Sequence, residues 1–144
     1  NGSYTLARVL TFPLMTFNGQ RYPSAIAPDI DEVGRTPVLF TLLVMRHAIT
    51  SGRWPVIWRR PLSPDLLAPP QFFKQDLISG KLSIYQEVPE LAPLYERPAT
   101  LLEVQGLECC AVWEPEHVED RLRDHFAGRP CVWVERLKLK PPVH

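Results

Sequence analysis

The chain has 144 residues, with 16 Lys+Arg against 16 Asp+Glu and a pI near 7.1. A zero net charge excludes a globally basic nucleic-acid binder and a globally acidic mimic of nucleic acid. The length is that of one domain, and a 45% apolar, 22% charged composition is globular rather than disordered.

Asn1-Gly2-Ser3 favours the positive-φ geometry of a tight hairpin. No strand precedes it, so either these residues were appended or a short strand belongs ahead of residue 1; the second reading is preferred. Tyr4–Phe12 alternates as a strand. Residues 13–35 read as irregular, with a second Asn18-Gly19 and an acidic exposed turn at Asp29-Ile30-Asp31-Glu32. Val38–Met45 is nearly all apolar and rich in strand formers, which predicts a central strand buried on both faces.

His47–Gly52 reads as a turn, or one helical turn closed by glycine. Arg53–Arg59 alternates around Pro55, which predicts an edge strand with Trp54, Val56 and Trp58 on its core face. Ser63-Pro64-Asp65 opens a short helical turn that Pro69-Pro70 ends. Phe72-Phe73 and Leu82–Gln86 are short strands, and residues 89–98 form a crossing segment punctuated by proline.

The best helix runs from Pro115 to the residue before Gly128. Val118, Leu122 and Phe126 recur at i, i+4 and i+8, Gly128 supplies a left-handed stop, and Glu119 is spaced to pair with Arg123. Cys131–Leu137 reads as a last strand. The expected fold is α+β: a β-dominated single domain over residues 1–144, a twisted antiparallel sheet or partial barrel with one helix near residues 115–127.

Three cysteines, Cys109, Cys110 and Cys131, show neither disulfide-framework nor zinc-finger spacing and read as buried reduced thiols. No apolar run approaches 18 residues, and no basic n-region leads an apolar one. A cytoplasmic location is therefore expected.

Charge is unevenly distributed: +4 over residues 1–85, −7 over residues 86–124 and +3 over residues 125–144. Glu116, Asp120 and Asp124 fall at i, i+4 and i+8, so a helix aligns them although like charges at that spacing repel. With Glu119 beside them, they are the expected docking residues for a basic partner, against the plainer reading of a solvated helix face. His117 and His125 share that helix, but eight residues at about 1.5 Å rise place them about 12 Å apart, too far to share one ion. No metal site and no cofactor are expected.

No GxSxG, P-loop or GxGxxG occurs, and no cysteine has a catalytic setting. No residue is assigned a catalytic role, and the chain is read as a non-enzyme. Arg53, Trp54, Trp58, Arg59 and Arg60 crowd into one stretch. They read as a core-anchored tryptophan strand flanked by arginines, or as a stacking surface for a single-stranded nucleic acid.

Gly52-Arg53-Trp54-Pro55-Val56-Ile57, Gly106-Leu107-Glu108 and Ala111-Val112-Trp113-Glu114-Pro115-Glu116-His117-Val118-Glu119-Asp120-Arg121-Leu122 together resemble the immunity protein 26 family of bacterial polymorphic toxin systems. The opening Gly2-Ser3-Tyr4 … Arg8-Val9-Leu10 is similar to that family's early strand. The pieces span residues 2 to about 137, and Trp58 departs from the small residue expected after Val56-Ile57. The resemblance implies a small cytoplasmic protein that neutralises a cognate toxin domain by covering its active site or a neighbouring surface, without chemistry of its own. The alternative is a nucleic-acid-binding accessory domain built on residues 53–60.

Overall fold

The computed structural model describes residues 2–11, 13–61, 70–86 and 95–141. In chain order the elements are β1 (Ser3–Thr11), β2 (Leu14–Pro23), α1 (Ile30–Arg35), β3 (Val38–Val44), α2 (His47–Thr50), β4 (Gln71–Gln75), β5 (Leu82–Gln86), β6 (Tyr95–Ala99), α3 (Leu101–Val104), β7 (Glu108–Cys109), β8 (Val112–Trp113), α4 (Pro115–Ala127) and α5 (Val132–Arg136). The fold is α+β and sheet-dominated, with both sheets mixed rather than purely antiparallel. The chain divides into two compact units, Asn1–Leu67 with Val112–Arg129, and Ala68–Ala111 with Pro130–His144.

The first unit holds a sheet in the order β1-β2-β3-β8. β1 and β2 are antiparallel with Ala7↔Phe17 and Val9↔Met15 opposed, β2 and β3 are antiparallel, and β8 joins β3 in parallel through Leu43↔Val112 and Val44↔Trp113. β2 was expected to be irregular. Its residues Leu14 to Asn18 are all buried, as befits an interior strand covered on both faces. The Asn18-Gly19 pair is not a turn: the register slips between Phe17 and Asn18, and the Gly19 N–H donates to the Pro37 carbonyl at 3.0 Å. β3 is the expected interior strand, with Leu42, Leu43 and Val44 buried.

The acidic stretch 29–32 leads into helix α1 rather than forming a turn, and the Asp29 carboxylate accepts the Asp31 N–H at 2.9 Å. Residues 53–59 are not a strand; only Trp54 is half-buried, while Val56 and Trp58 are 50% and 42% exposed. Helix α4 occupies the expected residues, with proline in its first turn and Gly128 at φ +69° as its left-handed cap. Val118 is fully buried, and Leu122 and Phe126 are half-buried.

The second unit holds a sheet in the order β6-β5-β4-β7. Phe73, Ile84 and Val104 form its buried centre. The hairpin from β4 to β5 turns on Asp76, whose Oδ1 accepts the Ile78 and Ser79 N–H groups at 2.9 and 2.8 Å. Thr100 caps α3 in a capping box with Glu103. The expected last strand at 131–137 is instead the five-residue helix α5, started at Cys131 and half-exposed along its length. The helical turn expected at residues 63–65 and the first part of the crossing segment, through residue 94, lie outside the described residues. The rest of that segment forms β6.

Candidate functional site

The site begins with α2, a single turn whose Ala48 is buried. Gly52 follows at φ +80°, a left-handed conformation that suits glycine, and the Trp54 N–H returns to the Ala48 carbonyl at 2.9 Å. This sharp return brings the Arg53 and Trp54 side chains to α4.

There they meet Glu119. Arg53 donates from Nε to Oε2 at 2.7 Å and from Nη2 to Oε1 at 2.8 Å, a two-pronged fork, while Trp54 Nε1 donates to Oε2 at 2.8 Å. The indole packs edge-on against Phe17, with ring centres 5.7 Å apart and planes at 81°. The Arg53 hydrogen bond holds the Glu119 carboxyl below its ordinary range, with the Trp54 donor helping and partial burial opposing; the same pair raises Arg53. Chemically this is a clamp, in which a charged acceptor fixes a loop that has no regular structure from Pro55 to Pro61.

The three carboxylates aligned at i, i+4 and i+8 are on one side of α4, and each has a cation partner. Glu116 Oε1 lies 3.5 Å from Arg53 Nη1, Asp120 pairs with Arg123 at 2.7 Å, and Asp124 pairs with Arg129 at 3.1 Å. The expected pairing of Glu119 with Arg123 is not made, because Arg53 and Trp54 take both Glu119 oxygens and Arg123 turns to Asp120. The side chains of Glu116 and Asp120 are 53% and 42% exposed, against 27% for Glu119 and 21% for Asp124. Arg121 turns away from this side. Its guanidinium sits 4.0 Å from the Phe40 ring centre and 5.3 Å from that of Trp113, capping the aromatic face of the sheet.

Sequence reasoning considered His117 and His125 as metal ligands and missed His47. The fold brings His47 Nε2 within 3.3 Å of Glu114 Oε2, with Glu116 completing a group whose ligand atoms lie within 4.8 Å of one another. The group is largely exposed and engaged in ion pairs, the ordinary condition of surface acids. Of the five residues in the arginine–tryptophan stretch, Arg53 and Trp54 are committed to Glu119 and Arg60 to Asp31 at 3.3 Å. Trp58 and Arg59 are exposed. No helix among the described residues is long and apolar enough to cross a membrane.

Glu119 thus ties Arg53-Trp54 to the helix that starts at Pro115, joining two stretches more than 60 residues apart that sequence reading singled out separately. A family model described as Immunity protein 26 matches residues 1–83. This range includes the Gly52–Ile57 stretch and ends before α4. No curated protein and no solved structure matches the chain.

Proposed function

The chain belongs to the immunity protein 26 family, a family of immunity proteins in toxin systems, and from that premise we propose that it binds one cognate toxin domain and neutralises it by covering its active site or a neighbouring surface. The observation that carries this reading is the family match over residues 1–83, which include the clamped Arg53-Trp54 loop. On this reading the protein performs no chemistry of its own, acts in the cytoplasm where the toxin would otherwise harm its maker, and uses its 144 residues as one binding domain.

The docking residues we propose are Glu116, Asp120 and Asp124 on the outer side of α4, with Glu119 fixing the loop beside them. Their arginine partners do not preclude this role. Exposed ion pairs contribute roughly 0–1 kcal/mol, so a basic surface on the toxin can exchange for Arg123 or Arg129 at little cost. The resulting association should be steered by charge and slow as salt is added.

Growth rescue tests the function. Cells producing the C-terminal toxin domain encoded beside this chain should recover when the chain is co-produced, and the two should elute as a one-to-one complex. Failure of a folded chain to rescue would remove the immunity reading. An on-rate indifferent to salt, or full affinity in an Asp120→Lys/Asp124→Lys variant, would move the docking surface off the acidic side of α4.

A further inference from the structure

Beside the clamp, the first unit contains a groove of about 1100 Å³, larger than the ~300–1,000 Å³ clefts that hold small ligands. One wall is β1, which lines it from Ser3 to Val9 and is, among the described residues, one of the two outer strands of its sheet. At about 3.3 Å per residue that wall is roughly 20 Å long, the span of six or seven residues of extended chain. The opposite wall is the unstructured stretch that Glu119 holds in place, where Val56, Ile57 and Trp58 are 50%, 49% and 42% exposed. Phe17, Leu122 and Phe126 contribute further apolar lining.

The charges lining the groove have one sign. Among the described residues its lining includes six arginines and a single acid, Glu119, which Arg53 already occupies. Three of those arginines have no carboxylate partner among the described residues: Arg8, whose Nε is buried without an acceptor; Arg21, which lies 5.1 Å from the Phe126 ring centre; and Arg59. Of these, Arg21 and Arg59 are exposed, and guanidinium groups without a carboxylate beside apolar surface suit an incoming anionic, partly apolar ligand. We propose that this groove receives an extended segment of the toxin that carries acidic and apolar side chains, its carboxylates meeting Arg21 and Arg59 and its apolar residues meeting Val56 and Trp58.

The proposal rests on the immunity reading and deepens it, because the toxin then has two opposite charge signatures: a basic surface for α4 and an acidic, apolar segment for the groove. Peptides of about twelve residues tiling the toxin domain, titrated against the whole chain while tryptophan fluorescence is followed, test it. One tile rich in Asp/Glu and apolar residues should bind and change the emission of Trp54 and Trp58. Arg21→Glu/Arg59→Glu and Trp58→Ala, all at exposed positions, should each weaken that tile at least tenfold, while Arg21→Lys/Arg59→Lys should retain most of the affinity.

Rescue by the chain without binding of any acidic tile would overturn the groove assignment and leave the immunity reading standing. So would a preference for basic tiles, or affinity within twofold after charge reversal. Saturable binding of oligothymidylate in the groove, abolished by the same reversal, would overturn it in favour of a nucleic-acid ligand. Absence of rescue would remove both readings together.

Discussion

The two sheets are assembled from the same parts but secured in different ways. Each has three strands in antiparallel contact and one two-residue strand added in parallel, and both short strands come from residues 108–113. In the first sheet the short strand joins β3, the last of the three in the chain; in the second it joins β4, the first. The ion pairs differ as well. The first unit is tied by Glu119 to Arg53 and Trp54 across 66 and 65 positions of sequence, whereas Lys74–Glu96 and Arg97–Glu103 in the second span 22 and 6. Contacts between distant positions carry the greater loop-closure cost. The motif-bearing unit is therefore the one in which a charged side-chain clamp joins distant positions, whereas the long-range tie of the second unit is made by a neutral amide, Gln75, which exchanges two hydrogen bonds at 2.9 Å with the Lys140 backbone across 65 positions.

Core truncation gives the largest expected effect on this contrast. Phe17 is 2% exposed, touches both the Phe40 and Trp54 rings, and lies directly under the clamp. Phe17→Ala should cost about 3–5 kcal/mol in urea denaturation. It should also release Trp54, seen as a red shift in fluorescence under native conditions. Ile84→Val in the second unit removes one methyl from a residue 1% exposed and should cost about 0.5–1.5 kcal/mol without moving the tryptophan signal. A shift in Trp54 emission caused by Ile84→Val would break the contrast, since the clamp would then depend on the second unit's centre.

Removing the clamp itself comes next. Glu119→Ala leaves the half-buried Trp54 indole without its acceptor. Hydrogen bonds to charged groups contribute about 1.5–3 kcal/mol, and solvent access to Glu119 places the expected loss near the lower end. Circular dichroism should stay native while the 53–61 stretch becomes susceptible to trypsin after Arg53 and Arg59. An unchanged digestion pattern would show that the loop is held by something other than Glu119.

Much of the scaffold was legible in the sequence, and the misses share a cause. β3, β4, β5 and α4 followed from apolar runs, short alternation and capping residues, which are local signals. β2 was hidden because a strand buried on both faces loses its alternation and because Asn18-Gly19, usually a turn signal, sits at a bulge. Residues 131–137 carry the β-branched and aromatic residues of a strand but form α5, a helix too short to show a period. At the site, the i, i+4, i+8 alignment of Glu116, Asp120 and Asp124 could be read directly, because helical geometry is local. The partners Arg53, Arg123 and Arg129 could not all be assigned, and Glu119 was given to Arg123. Only the tertiary return of the Gly52 turn brings a competing, two-pronged donor to it.

The smallest expected effect concerns acid, and it separates the units by where their carboxylates are satisfied. Glu119 is held below its ordinary value, near 4.5, by Arg53 from a distant element; Asp76 is held below its ordinary value, near 3.8, by the backbone N–H groups of Ser79 and Ile78 in its own turn. A carboxyl depressed in the folded state contributes stability that is present above its ordinary pKa and is lost as pH falls through the depressed one. Both contributions should therefore be present at pH 6 and decline below about pH 4.5 for Glu119 and below about pH 3.8 for Asp76. Glu119→Gln should flatten the acid limb of stability against pH at its upper end, and Asp76→Asn should flatten it at its lower end. Salt distinguishes them further. The Arg53–Glu119 attraction is between two partly exposed charges and is screened, whereas the Asp76 turn is held mainly by backbone donors at hydrogen-bond distance. Raising salt to 1 M should thus shrink the difference between wild type and Glu119→Gln while leaving that between wild type and Asp76→Asn nearly unchanged. Equal salt sensitivity in the two variants would show that the distant clamp and the local turn are secured by the same physics after all.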